Sequence, residues 1–198
     1  MLIDSQYFPN LQYFQCLFRS EEITIETQEF FEKQTYRNRC KILSANGVDT
    51  LIVPVQHVDK KLPIKDLRID YTQDWVRRHW GAIYSSYGKS PYFEHYAPYF
   101  EKILLKKPDF LLDMNMEILT ICLKFLKVEK KIYFTEKFEK EQPNDYRSAI
   151  HPKKDFSEDK DFLIKPYRQN FGNEFEPNLS ILDLLFCQGN RAGDWLVS

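Results

Sequence analysis

The sequence predicts an α/β domain, and three features of the chain predict that class. An apolar strand at residues 1–7, a helix at Leu11–Phe18 and an alternating strand at Glu22–Glu26 follow one another in the strand–helix–strand order of layered domains. The dipeptide Asn46-Gly47 favours a hairpin. A long stretch at residues 92–126 has the periodicity of helices.

The opening elements are predicted from side-chain spacing. Leu11, Phe14 and Phe18 lie on one stripe of the first helix. In the strand that follows, isoleucines alternate with polar side chains, so we expect the isoleucines to face inward and the polar residues, Glu26 among them, to face outward. Around the hairpin turn we predict strands at residues 38–43 and 50–55, and a further short strand at residues 67–69.

The next helix is predicted to begin at an N-cap residue, Thr72, and to end near Gly88. Trp75, His79 and Ile83 follow the cap at intervals of four, so they lie on one face.

Two prolines, Pro98 and Pro108, are expected to divide the helical stretch at residues 92–126. Beyond it we predict a strand at residues 131–135, an irregular loop or lid at 139–160 and a short strand at 162–167. A last helix should span residues 181–187, with Ser180 and Asp183 forming a capping box at its start.

These elements together predict a layered central sheet that is at least partly parallel, contains one hairpin and is flanked by helices in a Rossmann-like arrangement. The middle of the chain should be largely helical. A length of 198 residues fits a single domain over residues 1–198.

Composition narrows the functional classes. The formal net charge is −1, with 28 basic and 29 acidic side chains, so the basic surplus of a general nucleic-acid binder is lacking. Four cysteines without a CxxC pair indicate neither a zinc site nor a disulfide framework. The sequence has no stretch long and apolar enough to cross a bilayer and no basic, apolar leader at its start, so we expect a cytoplasmic protein without a membrane span.

The turn after the first strand is the first candidate site. Gln6 and Tyr7 stand where ligands bind in open α/β sheets, at the carboxyl end of a strand, and either side chain can hydrogen-bond a substrate. The alternative is a turn whose aromatic residues pack on the core. A glycine-rich phosphate loop is missing from the sequence, and no cofactor is indicated.

The second candidate is a basic stretch at the start of a predicted strand, where Arg37 and Arg39 flank Asn38. Two guanidinium groups on one side of a strand can hold a carboxylate or a phosphate. The alternative is a solvated edge strand that carries charge against aggregation.

The third candidate is His79, a general base near neutral pH if it is not simply a packed core histidine. Gln169 could orient polar groups of a substrate. The histidine spacing of metal sites is missing from the sequence, so we expect no catalytic metal.

The chain resembles the WbqC-like protein family in seven segments that follow one another in the same order. They are Ser5 to Pro9 with Tyr13-Phe14, Tyr36 to Arg39, Val53 to Val55, Ile64 to Asp66, Trp75 with His79-Trp80 and Tyr87, Ser90 to Phe93, and Pro177 to Phe186. Two departures are Gln12, where the family often has glycine, and a shorter, more charged segment at residues 139–160.

The resemblance implies a transferase that moves an amino acid such as glycine, or another small acyl group, onto an activated sugar in surface-polysaccharide or O-antigen biosynthesis. Its partners would be small molecules, a sugar nucleotide or an acyl donor. The alternative function is a non-catalytic protein that binds a nucleotide-sugar or a partner, and a homo-oligomer is left open.

Overall fold

A computed structural model describes residues 1–56 and 62–197 of the chain. Along these residues the strands and α-helices follow in the order β1 (Leu2–Asp4), α1 (Leu11–Phe18), β2 (Glu22–Glu26), β3 (Arg39–Ser44), β4 (Gly47–Ile52), α2 (Trp75–Tyr87), α3 (Phe93–Lys106), α4 (Leu111–Phe125), β5 (Lys131–Phe134) and α5 (Ile181–Gln188). The predicted α/β class is confirmed.

The central sheet is parallel, with β2 between β1 and β5. Ile3 lies opposite Ile25 and Ile23 opposite Ile132, so apolar residues of the three strands stack in register. The predicted strand–helix–strand opening is confirmed, with α1 and β2 at the predicted bounds and β1 shorter than residues 1–7.

The predicted hairpin is also confirmed, but it forms a separate two-stranded sheet. Its first strand begins at Arg39, where the prediction was residues 38–43, and its second begins at Gly47, where the prediction was residues 50–55. Both strands reach the turn because Ser44 and Gly47 pair directly across it. Gly47 has a φ of 101°, a conformation that glycine adopts without steric cost.

Two predicted strands, at residues 67–69 and 162–167, are wrong. The first segment pairs only through isolated bridges, Ile69 with Val55 and Arg68 with Phe110, which are too short for a strand. In the second, the Gln15 side chain bonds both backbone groups of Leu163, the amide at 2.8 Å and the carbonyl at 2.7 Å.

Three helix predictions are also wrong in detail. The amide of Thr72 donates to Asp70 in a turn, and α2 begins at Trp75. Pro98 lies inside α3 and does not divide it, and buried residues continue on both sides of this proline. Pro108 does separate α3 from α4, as predicted. Ser180 does cap α5, since its hydroxyl accepts the Leu182 amide at 3.3 Å, but the reciprocal half of the capping box is not formed. The Ser180 amide donates to the Lys41 carbonyl, and the Asp183 carboxylate is turned into the interior.

The core lies between the parallel sheet and the helices. Ile3, Ile23 and Ile25 are fully buried in the strands, and the predicted stripe of α2, which includes Trp75 and Ile83, packs in the same cluster. Among the described residues, no helix is both long and apolar enough to span a bilayer.

Candidate functional site

The carboxyl ends of the three parallel strands carry polar residues that the fold brings together. Asp4 ends β1, Glu26 ends β2 and Thr135 follows β5, and Asp4 lies directly opposite Glu26 in the strand register. Thr135 donates its hydroxyl to the Glu26 carboxylate at 2.7 Å and accepts the Thr27 amide at 3.0 Å. Ligands in open α/β sheets bind at this edge.

Arg37 joins two carboxylates at this edge. Its Nε and Nη2 donate to the two Glu29 oxygens at 2.6 and 2.8 Å, and its Nη1 lies 3.5 Å from Asp4 Oδ2. The 310 turn at Tyr36–Asn38 carries Arg37, so the expectation that Arg37 and Arg39 share one side of a strand is wrong. Burial acts to lower the pKa of Arg37, but Asp4 and Glu29 raise it well above its usual value.

Arg147 forms the second half of the arrangement. Its Nη1 donates to Glu26 at 2.9 Å, and its Nε and Nη2 hold Asp145 at 3.0 and 2.5 Å. The hydrogen bond from Arg147 lowers the pKa of Asp145. Arg37 donates to the backbone carbonyl of Arg147 at 3.2 Å, which connects the two halves.

We call these six side chains, Asp4, Glu26, Glu29, Arg37, Asp145 and Arg147, the ionic cluster. It contains four carboxylates and two guanidinium groups. Four of its members, Asp4, Glu26, Arg37 and Arg147, have relative exposures of 0 to 5%, and charges so buried are normally paired, as they are here.

Asp4 is the least satisfied member of the ionic cluster. Its Oδ2 accepts from Gln6 at 3.3 Å, whereas within the described chain its Oδ1 has no hydrogen-bond partner. Burial raises the pKa of Asp4 to about 7, even though Arg37 acts to lower it. Burial therefore favours the protonated form of Asp4 more than that of an ordinary aspartate.

A pocket of about 510 Å³ opens beside the ionic cluster. The residues that line it are Glu29, Phe138, Lys140, Asp145, Arg147, Ser148, Ala149 and Lys154. Lys140, Arg147 and Lys154 supply three cations, and the Phe138 ring lies 4.9 Å from the Arg147 guanidinium. Burial raises the pKa of Glu29, although Arg37 opposes the shift, so the carboxylate at the pocket wall is more basic than usual.

The predicted site residues divide into two groups. Gln6 and Arg37 both contact Asp4. Tyr7 lies one residue beyond Gln6 and shares a hydrogen bond of 3.0 Å with Nδ1 of His79. The amide of Tyr7 donates to the Tyr36 carbonyl, next to Arg37, so these residues are connected through the backbone.

The other predicted residues make bonds elsewhere. Asn38 donates to the Val53 carbonyl at 2.9 Å, and Arg39 begins β3 opposite Ile52. Gln169 donates to the Glu176 carbonyl at 2.9 Å and to Asp183 at 3.3 Å. Their roles in substrate binding stay predictions.

His79 is a packed histidine. It is 6% exposed, bonds Tyr7 and lies edge-on to Trp75 with ring centroids 4.9 Å apart. Burial lowers the pKa of His79 to about 4, so the ring is neutral at pH 7 and a weak base. Its catalytic role stays a prediction, and this geometry favours a part in holding Tyr7.

Sequence reasoning missed most of the ionic cluster. Glu26 was expected to face outward but is fully buried, because the alternation ends where the strand meets Arg147. Glu26 ends a strand whose bounds were predicted correctly, and an acidic residue at such an end is the signal that could have found it. Asp4 lay inside the predicted first strand at residues 1–7, which in fact ends at Asp4. Groups of three or more His, Cys, Asp or Glu side chains arranged to hold a metal ion are lacking from the described residues.

Comparison with known proteins gives a family. The sequence model of the WbqC-like protein family matches residues 4–160, which include the whole ionic cluster. Rv1507c of Mycobacterium tuberculosis, described as an uncharacterized protein, is 26% identical over 223 residues, with 98% of this chain and 96% of that protein covered. Solved structures give no match to the chain.

Proposed function

The chain belongs to the WbqC-like protein family, and from this membership we propose that it is a transferase for a small acyl group. The group is an amino acid such as glycine or a related acyl unit, and the acceptor is an activated sugar used in surface-polysaccharide biosynthesis. The proposal places both substrates at the carboxyl edge of the parallel sheet.

One observation carries the proposal: a pocket lined by three cations and two carboxylates lies directly beside the buried ionic cluster. Lys140 and Lys154 supply ammonium groups to the phosphates of a sugar nucleotide or to the carboxylate of an acyl donor. Phe138, with an exposed fraction of 52%, offers a flat apolar surface to a sugar or a base.

The chemical step uses the carboxylate that faces the pocket. Glu29 accepts the proton of the attacking hydroxyl or amine as the new bond to the acyl carbon forms. The bond from that carbon to its leaving group breaks, and the leaving group departs with the electron pair. Arg37 keeps the Glu29 carboxylate in place through two hydrogen bonds.

His79 has a positioning role in this proposal. It holds Tyr7 in the turn that follows β1, next to Gln6, and does not line the pocket.

A ligand screen followed by a transfer assay tests the function. Nucleotide-sugars, glycine, acyl-CoA and aminoacyl analogues are screened by thermal shift, because a true ligand raises the melting temperature further as its concentration rises above its dissociation constant. With the donor and acceptor so found, Glu29→Gln should lower turnover by about 10²- to 10⁴-fold while ligand affinity is retained.

The lysines of the pocket provide the binding arm of the test. Lys154→Met should weaken donor binding, whereas Lys102→Met, on α3 and outside this pocket, should not. A Glu29→Gln variant that binds and turns over like the wild type would refute the catalytic proposal. Binding of these ligands without any turnover would leave the chain a binding protein.

A further inference from the structure

The two edges of the parallel sheet differ. At the β1 edge the amide of Leu2 donates to Asn144 at 3.0 Å and its carbonyl accepts from Tyr146 at 2.8 Å, so the chain itself covers this edge. At the other edge, β5 pairs with β2 and with no further strand of the described residues. The outer edge of β5 therefore has backbone groups that are open to pairing.

The hydrogen bonds of β5 show which groups are open. The amides of Lys131 and Thr135 donate to carbonyls of Glu21 and Ile25 on the β2 side, at 3.3 and 3.1 Å. Because successive amides of a strand point to opposite sides, the amides and carbonyls of the even-numbered residues, 132 and 134, point away from β2.

This open edge is apolar. Tyr133 and Phe134 are 50% and 52% exposed, and β5 has no proline that would discourage pairing. A groove of about 1130 Å³ runs beside it, lined by apolar residues of α3 and α4 together with Ile132 and Phe134, and five charged side chains also line it. An apolar edge strand next to an apolar groove is typical of an interaction surface.

We propose that a second copy of this chain pairs with β5, antiparallel and with the two-fold axis at Tyr133. Ile132 then lies opposite Phe134 of the second copy, and the open amides and carbonyls of both residues bond each other. A β-branched residue opposite an aromatic one is a favourable cross-strand pair.

The charges that flank β5 identify the occupant as the chain itself. β5 itself ends at Phe134, and residues 136 and 137 form a bend in which Lys137 pairs with Glu139. Pairing that straightens this bend and continues in the same register places Lys130 opposite Glu136 and Glu129 opposite Lys137, so each of these charges meets its opposite. The four contacts arise because the segment at residues 129–137 is self-complementary about Tyr133. Lys130 also donates one hydrogen bond to the Ser20 carbonyl at 2.5 Å. An ammonium group has three N–H donors, so two are left for a carboxylate of the second copy.

The dimer would have a six-stranded sheet in the order β1-β2-β5-β5-β2-β1. Because the two copies are antiparallel, the carboxyl ends of their strands, with the ionic clusters, point in opposite directions. Four residues of strand alone do not supply the roughly 1,200–2,000 Å² of a standard stable interface. The groove, which Tyr99 of α3 also lines with an exposed ring, extends the apolar area.

Light scattering on the 198-residue chain as it elutes from a size-exclusion column tests the dimer. The wild type should elute with twice the 23.8 kDa mass of one chain. Phe134→Asp places a carboxylate in each half of the paired edge and should give the monomer mass. Val48→Asp places the same group on the exposed strand of the hairpin, and it should leave the dimer intact.

A charge exchange tests the register while the apolar edge is kept. Glu129→Lys places a lysine opposite Lys137 at both of the symmetry-related contacts. The repulsion between these like charges should raise the dimer dissociation constant roughly tenfold. The double variant Glu129→Lys with Lys137→Glu should restore it. A wild type that remains monomeric at the highest soluble concentration would overturn the proposal, and so would a double variant that dimerises no better than the single one.

Discussion

At the scale of residues, the chemistry of this chain is concentrated in Arg37 and Arg147. Each guanidinium is at most 5% exposed and bonds two carboxylates. The removal of one partner from a buried pair leaves a charge without compensation, so such groups are sensitive to single substitutions. The cluster has more carboxylates than cations, and Asp4 is the member whose protonation the pH changes near neutrality.

The free energy of unfolding should depend on pH through Asp4. Burial raises its pKa in the folded chain to about 7 from the usual 3.8, so the folded state holds a proton that the unfolded state has lost between those values. This contribution is fully present below pH 3.8 and is lost as the pH rises to about 7. Asp183, raised to about 7 by burial, acts in the same direction, whereas His79, lowered to about 4, acts in the opposite one.

The variant Asp4→Asn isolates the contribution of Asp4. Both proteins are unfolded in urea between pH 4 and pH 8. As the pH rises to about 7, the free energy of unfolding of the variant should increase relative to that of the wild type. Asp183→Asn provides a matched comparison at a second buried carboxyl, outside the ionic cluster. A difference between Asp4→Asn and the wild type that stays constant over this range would contradict the buried environment of Asp4.

The sequence identified Arg37 as unusual but did not identify its partners. Asp4 and Glu29 are 33 and 8 positions away from it, and Arg147 is 110 positions away, so only the pairing of β1 with β2 and the return of the loop after β5 bring them together. Likewise the spacing of α2 predicted the buried face with His79, but the partner of that side chain, Tyr7, lies 72 positions before it.

At the scale of elements, α1 connects the first two strands and begins at a polar cap. The Asn10 side chain accepts the Tyr13 amide at 3.0 Å, which satisfies one of the free amides of the first turn. The position of this helix follows from its cap together with its buried stripe, and both are local signals. Its bounds were predicted correctly for that reason.

Replacement of the cap should weaken the chain measurably. Asn10→Ala should lower the free energy of unfolding by about 0.5–2 kcal/mol, because the Tyr13 amide loses its acceptor. Asn10→Ser keeps an acceptor at the same place and should recover most of the loss. Equal losses for the two variants in urea unfolding would show that the cap bond is not the source of the effect.

Elements that depend on distant contacts were predicted poorly. The segment at residues 162–167 has the apolar residues of a strand, but its backbone at Leu163 is bonded by the side chain of Gln15 on α1. The capping box failed for a similar reason, since Asp183 accepts from Tyr167 at 3.2 Å and the Ser180 amide is taken by Lys41. Local patterns cannot anticipate a competing partner more than ten residues away.

At the scale of the whole molecule, the parallel sheet determines where the polar residues gather. The strands β1, β2 and β5 end on one side, and the loop at residues 139–160 returns there to add Asp145, Arg147 and the lysines of the pocket. The prediction of an irregular loop at this place is therefore confirmed, and in the proposal the loop completes the site. The assignment of residues 1–198 to a single domain stays a prediction.

The described residues also form a larger cavity, the apolar groove beside β5. Its cations, Lys102 and Lys106, lie among Asp109, Asp113 and Glu117, so it offers an anion less net positive charge than the pocket beside the ionic cluster. The two cavities can therefore be distinguished by a ligand that is purely anionic.

The most direct test is a titration with inorganic pyrophosphate, the charged centre of a nucleotide-sugar, followed by NMR of the arginine side chains and backbone amides. We predict saturable shifts at Arg147, Ser148 and Ala149 that vanish in the double variant Lys140→Met with Lys154→Met and persist in Lys102→Met with Lys106→Met. Shifts confined to the groove beside β5, or no saturable shift at Arg147, would contradict the placement of the substrate site at the ionic cluster.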